Sequence, residues 1–234
     1  MESIATELYN LKKNIILIYA FNGTGKTRLS VAYKDITKKV NGDKHIGVYY
    51  NAYSEDLFVW DNDESHHGAN IKLDVKASNL NKYHQHIDEE KLNEYLKDYK
   101  PRFDYRFHNY ENIADGIEYI QFYVKKEGSP ENGEDIHKDD TPIKLSRGEQ
   151  QLFIWCFYLA LFEVESFTGE KAQSSHFFID DPVSSFDDHN IFVTVASIMK
   201  LIDKHYKNRK IIITTHHIGL YAILCDWLSK SEKL

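Results

Sequence analysis

The chain has 234 residues, 42% of them hydrophobic and 28% charged, and a net charge of −7. This length allows one sizeable core, or a core with a small appended lobe, and we expect one domain. The acidic balance argues against a nucleic-acid clamp, because such binding depends on neutralising phosphates with Lys and Arg. No signal peptide and no apolar run long enough to span a membrane is evident, so we expect a soluble protein without membrane partners.

The two cysteines and a group of four histidines carry no pattern of a metal site. Cys156 and Cys225 are far apart, without a CxxC motif, which favours a reducing, cytoplasmic location. These four histidines have no cysteine or carboxylate partner at ligand spacing, and we interpret them as surface residues. These are His66, His67, His84 and His86.

The first predicted elements are a strand, a loop and a helix. Residues 14–20 (NIILIYA) form a short apolar run that continues into a glycine-containing loop. The helix is indicated by apolar side chains at helical spacing after that loop. They are Leu29, Ala32, Tyr33, Ile36 and Val40.

The middle of the chain reads as a more polar region. We predict a strand with an acidic loop over residues 48–60 and a charged helical stretch over 79–99, which ends before Pro101. The aromatic and basic residues at 99–107 are compatible with base stacking, but we prefer a half-buried strand edge. Residues 116–125 alternate with a period of two, as in an antiparallel strand, and 127–140 are loop-like.

The C-terminal part has the pattern of a buried parallel sheet with helices. Residues 152–162 are apolar on every side, which predicts a helix inside the domain. Residues 176–179 and 210–215 read as buried parallel strands. An amphipathic helix between them is marked by Ile191, Val195, Ile198 and Ile202. The fold class is therefore α/β.

The residues AFNGTGKT, from Ala20 to Thr27, form a phosphate-binding loop pattern after an apolar strand. Glycines let backbone N–H groups face the phosphates, Lys26 brings a positive charge to them, and the Thr27 hydroxyl coordinates Mg²⁺. The first glycine of the usual pattern is replaced by Ala20. A simple glycine turn would not require a Lys-Thr pair, so we favour the functional interpretation. The expected nucleotide contacts are Asn22, Gly23, Thr24, Gly25, Lys26, Thr27 and Arg28.

The residues LSRGEQ, at 145–150, support two compatible interpretations. Ser146 followed by Glu149 is a capping box at the start of an apolar helix. The motif also resembles the ABC signature, with Arg147 where a glycine is common. In that interpretation Ser146 and Gly148 would meet the γ-phosphate of a nucleotide held by another subunit.

Two adjacent carboxylates follow the predicted strand in FFIDDPVSSFD, at 177–187. We expect Asp180 to hold Mg²⁺, directly or through water, and Asp181 to orient or deprotonate the attacking water. Most ABC heads carry glutamate at the second position, and the shorter Asp181 is compatible with slower hydrolysis. The residues SSFD, at 184–187, match a loop that usually crosses the subunit interface. His216, after IIITT, resembles the switch histidine that senses the γ-phosphate.

The order and spacing of these four motifs are typical of an ABC-type ATPase head. We therefore predict an α/β P-loop NTPase domain over residues 1–234, with a mostly parallel sheet flanked by helices and a small antiparallel β lobe. Its cofactors would be Mg²⁺ and ATP or GTP. No glutamine stands at the expected Q-loop position, where Asn51, Glu55 or Asp56 could serve.

The chain also resembles the N-terminal NTPase module of the PrrC-like anticodon nucleases. The resemblance is carried by residues 17–34 (LIYAFNGTGKTRLSVAYK), 49–63 (YYNAYSEDLFVWDND), FIDDPVSSFDD and IIITTHH. It implies an ABC-type head that controls a tRNA-cleaving C-terminal domain in a bacterial antiphage toxin associated with type I restriction-modification complexes. The family's nuclease residues lie beyond the strand that ends at His216 and have no counterpart up to Leu234.

Three functions remain open. The leading one is a nucleotide-operated switch, in which two heads form a head-to-tail homodimer with Lys26 of one chain facing Ser146 of the other. A DNA-repair head of the Rad50 or SMC type would need a long heptad coiled coil between Thr27 and Leu145, which the sequence lacks. A nucleotide-binding interaction module with little turnover is the third.

Overall fold

The computed structural model describes residues 1–43, 47–78, 80–125, 141–164, 175–183 and 186–231. The chain divides into two compact units. The parallel-sheet unit comprises Met1–Ser54 and Tyr158–Leu234, and the antiparallel-sheet unit comprises Glu55–Phe157. In chain order the elements are α1 (Glu2–Asn10), β1 (Ile15–Tyr19), α2 (Lys26–Val40), β2 (Gly47–Tyr50), α3 (Ala52–Glu55), β3 (Phe58–Asp61), β4 (Lys72–Val75), α4 (Asn81–His84), α5 (Glu89–Tyr99), β5 (Phe103–Asn109), β6 (Ile117–Val124), α6 (Arg147–Glu163), β7 (His176–Asp180), α7 (Asp188–His205), β8 (Lys210–Thr215) and α8 (Ile218–Lys230).

The parallel-sheet unit is built on four strands in the order β1-β8-β7-β2, and every neighbouring pair is parallel. Because parallel strands end at the same edge, the residues that follow β1, β7 and β8 are brought together there. On one face of the sheet, Leu29 and Tyr33 of α2 are buried with Phe178 and Ile212, and Ala5 of α1 packs in the same cluster. This cluster fixes α2, and with it the loop before α2, against the sheet.

The antiparallel-sheet unit has the strand order β3-β4-β6-β5. Phe122 of β6 is fully buried and packs edge to face against Phe153 of α6, at a ring distance of 4.9 Å. β5 is an edge strand whose central residues are half-buried, as the preferred interpretation of its aromatic and basic residues predicted. The predicted antiparallel strand at 116–125 is β6.

The α/β class and the combination of a parallel sheet with a separate small antiparallel sheet are confirmed. The apolar segment at 152–162 is a helix whose side chains are all buried, and the two predicted parallel strands pair directly with each other. None of the helices in the described residues is long and apolar enough to cross a membrane.

Three predictions of local structure were wrong. Residues 48–60 hold two strands of different sheets with α3 between them. The helical stretch at 79–99 is two helices, because the Asp88 carboxylate caps a new helix by accepting from the N–H groups of Glu90 and Lys91. His84 is not a surface residue, since it is only 6% exposed. The predicted loop at 127–140 lies outside the described residues.

Candidate functional site

The phosphate-binding loop has the backbone conformation that its glycines predict. Gly23 and Gly25 have φ of 79° and 99°, in the left-handed region that favours glycine. Ala20, which replaces the first glycine, has no positive φ and donates its N–H to the Thr215 carbonyl at 3.0 Å. Alanine is therefore tolerated at this position. The loop ends at Gly25, which is the residue before α2.

Lys26 is 8% exposed and turns back into the loop. Its ammonium donates to the carbonyl oxygens of Ala20 and Phe21, each at 3.2 Å, and to Asn22 Oδ1 at 3.3 Å. It also forms an ion pair with Asp181, with 3.0 Å between Lys26 Nζ and Asp181 Oδ2. The positive charge is thus centred in the loop where phosphates would bind.

Thr27 and Asp180 lie together at the start of α2 and the end of β7. The Thr27 hydroxyl donates to Asp180 Oδ2 at 2.6 Å, and the Thr214 hydroxyl donates to Asp180 Oδ1 at 2.5 Å. Burial raises the pKa of Asp180, and the two hydrogen bonds partly oppose that shift. A hydroxyl beside a buried carboxylate is a donor set that fits Mg²⁺, which prefers oxygen ligands. These two residues are the ones that would hold the ion.

Asp181 connects the loop to the end of β8. Its carboxylate Oδ1 accepts from the His216 backbone N–H at 2.8 Å and lies 2.8 Å from His216 Nδ1, while Oδ2 faces Lys26. The residue has a φ of 50°, in the left-handed region that is uncommon for a residue other than glycine. Such strain is retained where the surroundings hold it, which is typical of functional sites. The structure therefore brings Lys26, Thr27, Asp180, Asp181 and His216 into one cluster.

The remaining residues of the loop lie at its exposed rim. The Thr24 hydroxyl donates to the Phe21 carbonyl at 2.7 Å, and Asn22 and Arg28 are exposed. Exposed N–H groups and an arginine beside the start of a helix are suited to anions. Their predicted contacts with a nucleotide stay predictions.

The residues LSRGEQ form the predicted capping box. Ser146 Oγ accepts from the Glu149 N–H at 3.3 Å, and Glu149 Oε2 accepts from the Ser146 N–H at 3.0 Å. Ser146 is exposed, and a Cβ added at Gly148 would meet no heavy atom within 4 Å. The helix start is thus open to a ligand or partner. Both residues belong to the antiparallel-sheet unit, whereas Lys26 belongs to the other unit. In the predicted interface loop, Ser184 and Ser185 lie outside the described residues.

The sequence patterns did not single out the link from Asn51 to the phosphate-binding loop. Asn51 is 6% exposed and follows β2; its Nδ2 donates to Ser30 Oγ at 2.7 Å, and that hydroxyl donates to the Thr27 carbonyl at 2.8 Å. Of the three Q-loop candidates, Asn51 shares the unit of the loop, whereas Glu55 and Asp56 belong to the antiparallel-sheet unit. No sequence signal marked this link, because Asn51 fell inside the segment at 48–60 that was predicted as a strand with an acidic loop.

No protein-family model matches this chain. An anticodon nuclease from Escherichia coli is 34% identical over 240 residues, which cover 91% of this chain and 58% of that protein. The chain therefore spans little more than half the length of this relative.

Two solved structures of SMC heads are similar at lower identity. One is the SMC head domain of Pyrococcus yayanosii with a coiled coil and joint, at 18% identity and a TM-score of 0.37, over 57% of this chain and 22% of that one. The other is an SMC head bound to the C-winged helix domain of ScpA, at 11% identity and a TM-score of 0.46, over 91% and 84%. Because both TM-scores are low, the fold class rests on the strand order described above. By sequence, the chain is related to the PrrC-like anticodon nucleases over nearly its whole length.

Proposed function

We propose that this chain is an ABC-type NTPase head that binds and hydrolyses a nucleoside triphosphate with Mg²⁺ and so regulates a tRNA anticodon nuclease. The observation that supports this most is the cluster at the strand ends, where Lys26, the Thr27–Asp180 pair and the Asp181–His216 pair meet. Phosphoryl transfer to water needs a cation for the phosphates, oxygen ligands for Mg²⁺ and a group that positions the water. The cluster contains one of each.

Each side chain has a defined task in this proposal. The backbone N–H groups from Gly23 to Thr27 and the Lys26 ammonium bind the phosphates. Mg²⁺, when bound, would neutralise charge that develops on them. Asp180 and Thr27 hold that ion. Asp181 orients the attacking water or takes its proton, and His216 fixes the Asp181 carboxylate and senses the γ-phosphate.

The ion pair between Lys26 and Asp181 makes turnover depend on a rearrangement. Asp181 Oδ2 is 3.0 Å from the ammonium that the phosphates require, so phosphates and Asp181 compete for the same charge. Phosphate binding would therefore release one oxygen of Asp181, which is then available to a water molecule. The His216 contacts keep the other oxygen in place.

Two chains would share each nucleotide in a head-to-tail homodimer. Ser146 is exposed and the space beside Gly148 is open, as expected of a helix start that completes the nucleotide site of a partner chain. Hydrolysis would release the clamp and report the nucleotide state to the nuclease. By resemblance to the PrrC-like anticodon nucleases, the partners in the cell would be tRNA and a type I restriction-modification complex, in antiphage defence in the cytoplasm.

A nucleotide-binding module with little turnover is the second candidate. It is favoured by Asp181, which is shorter than the usual glutamate and has both oxygens in contact with protein groups. The Rad50 or SMC alternative has less support, since no helix among the described residues between Thr27 and Leu145 is longer than the 15-residue α2 and none of them forms a coiled coil.

Binding and hydrolysis measured side by side test the proposal. With Mg²⁺, the purified chain is expected to bind ATP or GTP and to release phosphate, and Lys26→Ala should abolish both because the phosphates lose their cation. Retained binding with no detectable turnover would favour the second candidate. Full turnover by Lys26→Ala would refute the assignment of the loop.

For the regulatory role, tRNA cleavage in cells expressing the natural reading frame should change with Lys26→Ala.

A further inference from the structure

A groove beside the phosphate-binding loop is not used by the phosphate chemistry described above. It has a volume of about 360 Å³ and lies between α1 and the exposed face of α2, with Tyr53 at its rim. Its residues on α2 include Arg28, Val31 and Asp35, which follow one another at helical spacing. Ligand sites have volumes of roughly 300 to 1,000 Å³, so the groove is large enough for a small organic group.

The groove begins beside the end of the phosphate-binding loop, at the first turn of α2. In loops of this type the backbone N–H groups cradle the α- and β-phosphates, and the lysine reaches the β- and γ-phosphates. Arg28 follows Thr27 directly and lines the groove. The start of α1 also adjoins the loop, because a Cβ placed on Gly25 would lie 2.6 Å from the terminal carbon of Met1. The groove is therefore continuous with the start of α2.

The side chains around the groove combine apolar surface with free charges. Tyr53 is 59% exposed and Val31 is 38% exposed, which gives a flat ring and an aliphatic wall in contact with solvent. Three charged groups at the groove form no hydrogen bond or ion pair with any part of the chain that the structure describes. They are the carboxylates of Glu2 and Asp35 and the guanidinium of Arg28. An aromatic face can stack on a base, and a free carboxylate can accept N–H groups from the edge of that base.

We propose that this groove receives the nucleoside part of the nucleotide, with the base against Tyr53 and Val31 and its N–H groups toward Asp35. This inference rests on the proposed NTPase function and adds to it the site that selects the base. Arg28 lies at the mouth of the groove, where it contacts the α-phosphate or the ribose. Val31, Asp35 and Tyr53 are distinct from the phosphate-binding residues, so phosphate affinity and base selection are separable.

Binding of inorganic tripolyphosphate and of the four common nucleoside triphosphates separates the two sites. Tripolyphosphate has the phosphate chain but no base. In Val31→Arg the longer side chain fills the groove, and arginine is a good helix former, so the fold should be kept. We expect nucleoside triphosphates to bind about tenfold or more weakly, a change of about 1.4 kcal/mol. Tripolyphosphate should bind as well as before or better, because the added charge attracts it.

Val40→Arg is the matched control, since Val40 is on the same helix, is 59% exposed and does not line the groove. It should leave all affinities unchanged. Equal nucleotide affinity for Val31→Arg and wild type, or an equal loss for tripolyphosphate, would overturn the inference. If the wild-type chain bound neither nucleotide nor tripolyphosphate, the proposed function itself would fail. If it bound tripolyphosphate as tightly as every nucleotide, only the groove assignment would fail.

Asp35→Asn tests which residue reads the base. The amide replaces one acceptor oxygen with a donor, so the ranking of the four nucleotides should change while tripolyphosphate affinity stays the same. An unchanged ranking would remove Asp35 from the base site.

Discussion

At the scale of single residues, the proposed mechanism gives Asp181 a different task from that of Lys26. The two residues form one ion pair, in which the side chain of Asp181 is 18% exposed and that of Lys26 is 7% exposed. A buried lysine at 3.0 Å from a carboxylate is compatible with a purely structural pair. The two tasks are therefore best separated by substitutions that change one charge at a time.

Asp181→Asn should retain Mg-nucleotide binding and lose hydrolysis. The side-chain oxygen can still accept from the His216 N–H, but the group no longer attracts a proton, so we expect turnover to fall about 100-fold or more. Binding should be unchanged or tighter, because Lys26 loses its competing carboxylate. The measurements are equilibrium binding and single-turnover hydrolysis. A loss of binding equal to that of Lys26→Ala would contradict the division of roles.

His84 should make the stability of the protein depend on pH. Its ring is 6% exposed, its Nδ1 accepts from the Ile117 N–H at 3.3 Å, and burial lowers its pKa to about 4. In the unfolded chain the His84 ring takes up a proton near pH 6.5. In the folded chain burial keeps the ring neutral to a lower pH. Stability is therefore complete above about pH 6.5 and falls as the pH drops toward 4, by about 3 kcal/mol from this residue.

His84→Asn is expected to flatten this dependence, because the amide oxygen can accept the same hydrogen bond without titrating. Urea unfolding at pH 7 and pH 5 measures the effect. His176, whose pKa burial also lowers to about 4, should preserve part of the dependence in the variant. An identical drop between the two pH values in variant and wild type would show that His84 does not contribute.

At the scale of elements, the start of α6 carries both a structural and a proposed functional task. Replacing Ser146 removes the N-cap, which costs about 1 kcal/mol. Ser146→Ala and Ser146→Arg remove the same cap, but only arginine adds a long side chain to the exposed helix start. We expect similar losses of stability in both variants and a loss of nucleotide-dependent dimerisation mainly in Ser146→Arg.

Thermal unfolding and light scattering with and without nucleotide measure the two effects. Nucleotide affinity of the monomer should be almost unchanged in both variants. If Ser146→Arg dimerised and turned over nucleotide as well as Ser146→Ala does, LSRGEQ would be a capping box only.

Elements with a strong single pattern were predictable from the sequence. β7 and β8 are continuous apolar runs because both faces of the parallel sheet are covered. Residues 152–162 of α6 are apolar all round because every side chain of that segment is buried. The boundary between β2 and β3 was missed, since the four residues of α3 are too few to show a helical period. The break before α5 had a readable signal in Asp88 followed by two glutamates.

The candidate site was predictable in its residues but not in its contacts. The phosphate-binding loop and the paired aspartates are local patterns that need no knowledge of the fold. The contact of Asp181 with both Lys26 and His216 depends on β8 lying between β1 and β7, and on a left-handed backbone at Asp181. Neither property has a signature in the sequence. The link from Asn51 through Ser30 to Thr27 likewise depends on how β2 packs against α2.

At the scale of the whole molecule, the proposed nucleotide site is completed by a second copy of the chain. In this account neither Lys26→Ala nor Ser146→Arg hydrolyses nucleotide alone, since each damages both sites of its own homodimer. A mixed dimer retains one site in which Lys26 of one chain faces Ser146 of the other.

The most direct test is turnover in a mixture of Lys26→Ala and Ser146→Arg. Each variant is first measured alone at the same total concentration, and wild type gives the reference rate. Mixing should restore hydrolysis, up to about a quarter of the wild-type rate if the chains pair at random. Two results would contradict a site shared between chains. One is a mixture that stays as inactive as the separate variants, and the other is normal turnover by monomeric Ser146→Arg.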